Sequence, residues 1–465
     1  MVENNNRFFF VKTLRKPLPH PPPRIVVKAI SGTQTVRFKN ELERNITIKL
    51  GYANAKIFKI DLNTVPEEKK SQYSNMDLHK EYYCSNGSGK ADRFKVETET
   101  AKEIFGESAE YECIRHVSFV DCPGHDILMA TMLTGAAIMD AALLLIAADQ
   151  ECPQPQTNEH LAAIEIMGLR HIVILQNKID LVTKEDASKQ VEAINNFKAG
   201  TSAKNAPVIP ISAQLKLNVD VLCQYMARNV PVPNRDFTKN PKLSVIRSFD
   251  INKPGCEIEN LKGGIAGGSI LHGVFKLGDE IEIRPGLSFK DKDTQQWKAR
   301  PLTTKIVSLS SESNPLQYAV PGGLIGIGTN LDPCLCRGDN LVGNIIGLPG
   351  TLPNVYDMIE ISFHLMSRIA GAQATSSNKQ DASKKKKASK IGELEKKETI
   401  QINIGSCCTT AQIKKVQDDI CQLQLNQPIC TDVGEKVALS RRIDRHWRLI
   451  GWGTIEKGHD VQFSE

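Results

Sequence analysis

The amino-acid sequence predicts an α/β domain followed by two β-barrel domains. Between residues 25 and 234, apolar runs of strand length alternate with helical patterns, which is typical of a doubly wound parallel sheet. After Pro241 the chain changes to short alternating strands that are punctuated by glycine and proline, which is typical of a small β-barrel. A second stretch of the same kind begins near residue 351 and predicts a second barrel.

The elements of the α/β domain follow in order along the chain. Buried strands are predicted at 116–120, 141–148, 171–175 and 208–211, and helices at 128–139, 157–167 and 187–197. In the first barrel, strands are predicted at 243–249, 268–275 and 280–284. The predicted domains are therefore 25–234, 241–350 and 351–465.

Two segments depart from this pattern. Residues 1–24 contain Pro17, Pro19 and the run 21–23, which exclude a regular helix or a central strand there. We therefore expect an atypical proline-rich N-terminus at 1–24. Residues 371–398 are polar and include four consecutive lysines, and we expect them to form an exposed, flexible loop within the second barrel domain.

Composition narrows the class of protein. The 465-residue chain carries a net charge of +6, a mild excess that suits a polyanionic partner. It contains no apolar run near the ~20 residues of a membrane span, so we expect no membrane association. Twelve cysteines without a secretory signal indicate reduced thiols and a cytoplasmic location.

Two motifs predict a site for the guanine base. Asn177-Lys178-Ile179-Asp180 and Ser212-Ala213 each follow a predicted strand. The Asp180 carboxylate can accept hydrogen bonds from two guanine donors, Asn177 can bond the base, and the Lys178 stem can cover its ring. Ser212 and Ala213 offer backbone N–H groups to the guanine carbonyl. A lone Asn-Lys-x-Asp is most often a surface turn, but the order and spacing here favour a GTP site of the P-loop GTPase type.

A third motif, at 121–125, predicts the metal and hydrolysis side of that site. Asp121 stands where a carboxylate would hold a magnesium-bound water, and Gly124 where an N–H would reach the γ-phosphate. His125 is then placed to orient an attacking water, as the catalytic residue. Upstream, Thr47 is a candidate magnesium ligand, although a threonine there is by itself an ordinary strand residue.

The phosphate-binding loop is the missing part of this pattern. The chain has no glycine before Gly32, so no G-x-x-x-x-G-K-[ST] loop precedes the other motifs. The segment 87–90, Gly-Ser-Gly-Lys, is followed by Ala91 rather than by a hydroxyl residue and is no substitute. Loss of three charge-assisted hydrogen bonds would cost about 5–9 kcal/mol, or roughly 10³–10⁶ in affinity, so weak GTP binding is expected.

Taken together, the chain resembles the gamma subunits of eukaryotic translation initiation factor 2, a translational GTPase family, and resembles elongation factor Tu more distantly. The resemblance extends from residue 25 to about 457. It is carried by segments 38–48, 120–129, 150–160, 176–181, 246–256, 262–270, 278–280, 433–436, 440–442 and 446–453.

The resemblance implies a function and a set of partners. Such a protein is the GTP-binding core of a heterotrimer with alpha and beta subunits. It delivers methionyl initiator tRNA to the small ribosomal subunit and hydrolyses GTP when the start codon is recognised. GTPase-activating and exchange factors act on it, and its cofactors are GTP and Mg²⁺. Asp121, Gly124, Thr47, Asn177 and the other residues named above would take the roles already described.

Two departures from the family pattern affect these expectations. Residues 21–24, Pro-Pro-Pro-Arg, stand where the phosphate loop should end, so the first strand and the phosphate loop are predicted to be missing. Family members usually carry a zinc-binding insertion built from C-x-x-C pairs. Here only Cys84 lies between Gly51 and Tyr111, and we expect no zinc site.

Three interpretations stay open at this point. In the first, the chain is a GTPase whose N-terminal sequence has been misassigned, because every other GTP-contacting loop is intact. In the second, it is a non-catalytic scaffold that binds tRNA and partner subunits without tight GTP binding. A related elongation factor that carries tRNA is the third interpretation.

Overall fold

A computed structural model describes most of the chain, in two compact units. The first unit comprises residues 1–125, 139–157 and 169–234, and the second comprises 126–138, 158–168 and 235–465. The described residues are 6–13, 24–33, 35, 50–61, 81–87, 111–123, 129–136, 138–253, 255–257, 259, 261–311, 314–366, 391–443 and 446–464.

A seven-stranded sheet organises the described part of the first unit. Its strands are β1 (Asn6–Thr13), β2 (Gly51–Asp61), β3 (Glu81–Gly87), β4 (Tyr111–Asp121), β5 (Ala141–Ala147), β6 (His171–Asn177) and β7 (Val208–Ile211). The spatial order is β3-β2-β4-β1-β5-β6-β7. Five strands, from β4 to β7 in this order, are parallel, as the sequence predicts. The sheet is nevertheless mixed, because β2 runs antiparallel to both β3 and β4.

The prediction that the first strand is missing was wrong. Strand β1 lies at the centre of the sheet and pairs in parallel with both β4 and β5, where Phe9 is opposite Phe119 on one side and Ala141 on the other. The apolar run Phe8-Phe9-Phe10-Val11 has the aromatic and β-branched character that strands favour. The prolines begin only at Pro17, after β1 has ended, so they do not interfere with its pairing.

Among the described residues, five helices lie between these strands or after the last of them in the sequence. They are α1 (Arg24–Ser31), α2 (Met129–Ala136), α3 (Pro155–Met167), α4 (Lys184–Lys198) and α5 (Val219–Asn229). In the core of the first unit, α1 contributes the buried side chains of Val26, Val27 and Ile30, whose spacing forms one apolar stripe. They pack with buried residues of the sheet, such as Phe119 and Leu143. Because of this stripe, the sequence after residue 24 forms a helix that is anchored to the sheet.

The N-terminus of α4 offers a stability test near the predicted base site. The Thr183 hydroxyl accepts a hydrogen bond from the Asp186 N–H at 3.2 Å, which satisfies one of the free donors of the first turn. We expect Thr183→Ala to lower the free energy of unfolding by about 1 kcal/mol. Thr183→Ser keeps the acceptor and should stay close to the wild-type value. Denaturant unfolding of both variants checks this prediction, and equal losses would contradict it.

The first barrel of the second unit closes through six strands. Its main strands are β8 (Lys242–Phe249), β9 (Ile265–His272), β11 (Glu280–Lys290), β12 (Trp297–Ser311), β15 (Ile325–Thr329) and β16 (Ile345–Gly347). The order β11-β16-β8-β9-β15-β12 is closed by pairing of β11 with β12. The shorter elements here are β10 (Phe275–Lys276), β13 (Asn314–Leu316), β14 (Tyr318–Ala319) and α6 (Pro333–Cys336).

The second barrel is also closed. Its strands are β17 (Val355–Leu365), β18 (Thr399–Ile404), β19 (Cys407–Gln417), β20 (Ile420–Cys430), β21 (Lys436–Ile443) and β22 (His446–Asp460), in the order β17-β20-β19-β18-β21-β22. The last strand, β23 (Gln462–Phe463), leaves this barrel and pairs with β12 of the first one. The fold class predicted from the sequence, an α/β domain followed by two barrels, is confirmed.

Arg441 on β21 anchors the end of the lysine-rich segment. Its guanidinium pairs with the Glu398 carboxylate and donates to the backbone carbonyls of Gly392 and Glu393, both at 2.9 Å. The preceding residues of that segment, 371–390, lie outside the described residues. Since all of these contacts are made within the barrel domain, Arg441 has a structural role there.

Two of the predicted absences concern membranes and metals. The longest of the described helices, α4, has 15 residues, and none of those helices is able to span a bilayer. No group of three or more metal-ligating side chains occurs among the described residues. Most of 62–110 lies outside them, so the absence of zinc stays a prediction.

Candidate functional site

The base-binding motifs lie at the carboxyl ends of two adjacent parallel strands. Strand β6 ends at Asn177 and β7 at Ile211, and these two residues are paired in register. The chain leaving β7 therefore passes beside Asn177, and the Ala213 N–H donates to Asn177 Oδ1 at 3.2 Å. The structure thus brings together two motifs that are 36 residues apart in the sequence.

The loop that begins at Ser212 is closed on itself. Ser212 and Leu217 exchange two backbone hydrogen bonds, of 3.2 and 2.9 Å, and the Leu215 N–H donates to the Ser212 hydroxyl at 3.3 Å. Ser212 is fully buried and Ala213 nearly so. These contacts fix the backbone of the loop beside Asn177. They also occupy the Ser212 N–H, which donates to Leu217, and the Ala213 N–H, which donates to Asn177, so the structure does not present these two donors to a guanine carbonyl as the sequence predicts.

Lys178 and Asp180 project from a tight turn after β6. Lys178 adopts a left-handed backbone conformation, with φ of 66°, at the start of a short 3₁₀ turn, Ile179–Leu181. Its ammonium group lies 3.1 Å from a carboxylate oxygen of Asp149. Asp180 is exposed, and no group in the described part of the chain donates a hydrogen bond to its carboxylate. Both carboxylate oxygens of Asp180 can therefore accept from a ligand.

Sequence reasoning missed the residues that support this turn. Gln176 on β6 donates to Gln190 Oε1 at 2.8 Å, and Gln190 donates to the carbonyl of Ala147 at 2.8 Å. This pair is buried and ties the end of β6 to the end of β5. Of the missed residues, Asp149 had the clearer sequence signal. It follows a buried apolar strand, β5, in the same way that Asp121 follows the apolar run of β4.

The predicted metal carboxylate lies at the end of another strand of the same sheet. Asp121 is the last residue of β4 and is fully buried. Thr35 donates to Asp121 Oδ2 at 2.6 Å. The remaining predicted residues of this half, Thr47, Gly124 and His125, lie outside the described residues, and their roles stay predictions.

Comparison with known proteins identifies the family. The chain is 54% identical over 436 residues to "Eukaryotic translation initiation factor 2 subunit 3" of Drosophila melanogaster, across 94% of this chain and 86% of that protein. It belongs to the gamma-subunit family of eukaryotic translation initiation factor 2. Three family descriptions match consecutive segments. They are "Elongation factor Tu GTP binding domain" at 25–232, "Elongation factor Tu domain 2" at 263–347 and "Initiation factor eIF2 gamma, C terminal" at 357–455.

Two solved structures show the same fold at low sequence identity. One is translation elongation factor SelB from Methanococcus maripaludis in complex with the GTP analogue GppNHp, with a TM-score of 0.62 and 18% identity. It is matched over 98% of this chain and 80% of that one. The other is a bacterial selenocysteine-specific elongation factor, with a TM-score of 0.64 and 15% identity over 96% and 57% of the two chains. These two likenesses concern the fold alone. The 54% identical relative and the matched GTP-binding domain make the chain a translation initiation factor with a GTPase-type domain, as the sequence resemblance predicts.

The parts of the site differ in how well they suit GTP. The open Asp180 carboxylate suits a guanine base, and the buried Asp121 carboxylate suits a hydrated Mg²⁺. A phosphate cradle would lie in the connection between β1 and α1, where backbone N–H groups point at the anion. That connection, residues 14–23, has no glycine and five prolines, which lack an N–H. Its sequence therefore does not suit the phosphates.

Proposed function

We propose that the chain is the guanine-nucleotide-binding subunit of a translation initiation factor. In this proposal it assembles with alpha and beta subunits, binds methionyl initiator tRNA and brings it to the small ribosomal subunit in the cytoplasm. GTPase-activating and exchange factors are its further partners. Membership of the gamma-subunit family over most of the chain supports this assignment, and the net charge of +6 suits an RNA ligand.

The observation that carries the nucleotide part is the meeting of two base-binding loops. The Ala213 N–H bonds the Asn177 side chain, and Asp180 presents an open carboxylate from the same strand end. Guanine offers an N1–H and an N2 amino group side by side, which a carboxylate accepts as a pair. Adenine has no such donor pair, so the proposed ligand is a guanine nucleotide with Mg²⁺ at Asp121. GTP hydrolysis at start-codon recognition is part of the proposal, with His125 as its catalytic residue, and weak binding of the phosphates by residues 14–23 is expected to limit it.

Asp180→Asn tests this proposal. An amide in place of the carboxylate presents one donor and one acceptor, which matches xanthine, whose second donor is replaced by a carbonyl. We expect the affinity for GTP to fall about a hundredfold, as for a lost charge-assisted pair, and the variant to prefer XTP. Saturation-transfer NMR with GTP, XTP and ATP measures this preference even when binding is weak.

Asp186→Asn is the matched control, since Asp186 is an exposed carboxylate on the next helix. It should leave the nucleotide preference unchanged. If wild-type and Asp180→Asn chains show the same ranking of GTP, XTP and ATP, the assignment of the base site is wrong.

A second candidate function is a scaffold subunit that binds tRNA and partner subunits without tight GTP binding. The observation that favours it is the proline-rich connection at 14–23. Its test is binding of methionyl initiator tRNA by the assembled heterotrimer with and without GTP. Equal tRNA affinity in the two conditions would support the scaffold, and a tenfold or larger strengthening by GTP would exclude it.

A further inference from the structure

Thr35, Gly51 and Asp121 form a buried cluster at the end of β4. The Thr35 hydroxyl donates to Asp121 Oδ2 at 2.6 Å, which is short for a neutral hydroxyl and typical of a bond to a carboxylate. Asp121 is fully buried, and Thr35 is 9% exposed. These three residues come from three separate parts of the chain, and none of the sequence motifs includes Thr35 or Gly51.

The backbone opposite Asp121 leaves room for the Thr35 side chain. Gly51 is paired with Asp121 in the β2–β4 register. A Cβ atom added to Gly51 would lie 2.7 Å from the Thr35 Cβ, which is too close, and 3.0 Å from the Thr35 carbonyl oxygen, which is a tight contact. Glycine at position 51 therefore leaves the space that Thr35 occupies.

The end of α1 directs the chain toward this space. Gly32 takes a left-handed conformation, with φ of 66°, and its N–H donates to the Lys28 carbonyl at 2.8 Å, which ends the helix. The Thr33 N–H then bonds the Ser31 hydroxyl at 3.1 Å. The helix end is thus fixed four residues or fewer before Thr35.

Helix α1 itself supplies no hydroxyl to Asp121. In P-loop nucleotide-binding proteins, the metal ion is held by a carboxylate together with a serine or threonine of the phosphate loop. Here α1 begins with Arg24, and its one hydroxyl residue, Ser31, donates instead to the Val27 carbonyl at 2.7 Å. The hydroxyl that Asp121 does receive comes from Thr35, beyond the other end of the helix.

We propose that Thr35 is a positioning residue that orients the Asp121 carboxylate for a hydrated divalent cation. Its hydroxyl proton holds Oδ2 and so fixes the rotation of the carboxylate about its last side-chain bond. The other carboxylate oxygen, Oδ1, is thereby held in one direction for a metal-bound water. The inference rests on the proposed function, because it takes the nucleotide-associated cation to be the ligand of Asp121.

Thr35→Val and Thr35→Ser in the full-length chain test this inference. Valine keeps the shape of threonine but has no proton to donate, whereas serine keeps the hydroxyl. Binding of Mn²⁺, as a probe for Mg²⁺, is measured by electron paramagnetic resonance at one fixed GDP concentration against a protein-free Mn²⁺–GDP reference, and GDP binding is measured separately in EDTA by saturation-transfer NMR. We expect Thr35→Val to weaken Mn²⁺ binding about tenfold with GDP binding in EDTA unchanged, and Thr35→Ser to match the wild type.

Gly51→Ala provides a second variant that keeps the hydroxyl but displaces it. Its added methyl group should push Thr35 away from Asp121 and weaken Mn²⁺ binding as Thr35→Val does. If the valine variant fails to fold, Gly51→Ala alone tests whether the Thr35 hydroxyl is needed for Mn²⁺ binding. Unchanged Mn²⁺ binding in the folded variants would overturn the role of Thr35 and leave the proposed function intact. A wild-type chain whose GDP binding shows no Mn²⁺ dependence would overturn both the role of Thr35 and the proposed cation site at Asp121, whereas the base preference tested with Asp180→Asn would stand.

Discussion

A glycine-rich loop ending in Gly-Lys-Ser, placed at residues 14–24, is expected to raise the affinity for GTP by roughly 10³–10⁶. The present connection contributes five prolines without an N–H, and α1 begins with Arg24 rather than with a hydroxyl residue. A phosphate loop would add several charge-assisted hydrogen bonds at about 1.5–3 kcal/mol each. Three of them account for about 5–9 kcal/mol. Isothermal titration with GTP measures the gain against the unaltered chain.

The flanking elements are already in place for this exchange. Strand β1 is paired on both sides, and α1 is anchored by Val26, Val27 and Ile30, so the new loop joins two fixed ends. The matched control is the same loop with alanine in place of its lysine, which keeps the glycines but removes the cation. That control should recover only part of the gain. Equal GTP affinity in the unaltered and loop-exchanged chains would show that the connection does not limit binding.

The sequence predicts those parts of the fold that have a strong local signal. Strand β5 is a continuous apolar run and was predicted to within one residue, and β7 was predicted with its observed bounds. Strand β1 was missed because its short apolar run at 8–11 is flanked by charged residues and followed by prolines. Its central place depends on pairing with β4 and β5, more than 100 residues away, which no local pattern encodes.

The candidate site also contains residues that the sequence predicts and a residue that it does not. Asn177 and Ala213 were predicted to act together because both follow strands in the order of a known motif set, and the structure brings them into contact. Thr35 carries no motif, and its partner Asp121 is 86 residues away. Only the register of β2 against β4, with Gly51 opposite Asp121, shows why a threonine fits there.

Removal of one partner of a buried ion pair in the first barrel is expected to cost about 3–5 kcal/mol of stability. Arg284 and Glu282, two residues apart on β11, are both less than 10% exposed and form two hydrogen bonds, of 2.7 and 3.2 Å. Arg284 also donates to the carbonyls of Leu352 and Pro353, at 2.9 and 3.1 Å. Arg284→Met would leave the Glu282 charge and two carbonyls without these donors.

The same strand offers a control for this prediction. Glu280 on β11 pairs with Lys305 on β12 at 3.3 Å, but both side chains are about 60% exposed. Glu280→Gln should therefore change the stability by less than about 1 kcal/mol. In thermal unfolding, Arg284→Met should lower the melting temperature by about 6–20 °C for a unit of this size, and Glu280→Gln by a few degrees at most.

The double variant Arg284→Met/Glu282→Met separates two explanations of the loss. If most of the cost comes from a buried charge without its partner, replacing both residues by apolar ones should recover much of the stability, since methionine fills irregular space. The Gly350 N–H, which donates to Glu282 at 2.9 Å, would still lose its acceptor, so recovery should be incomplete. A double variant as unstable as Arg284→Met would instead assign the loss to the contacts of Arg284 with the segment that joins the two barrels.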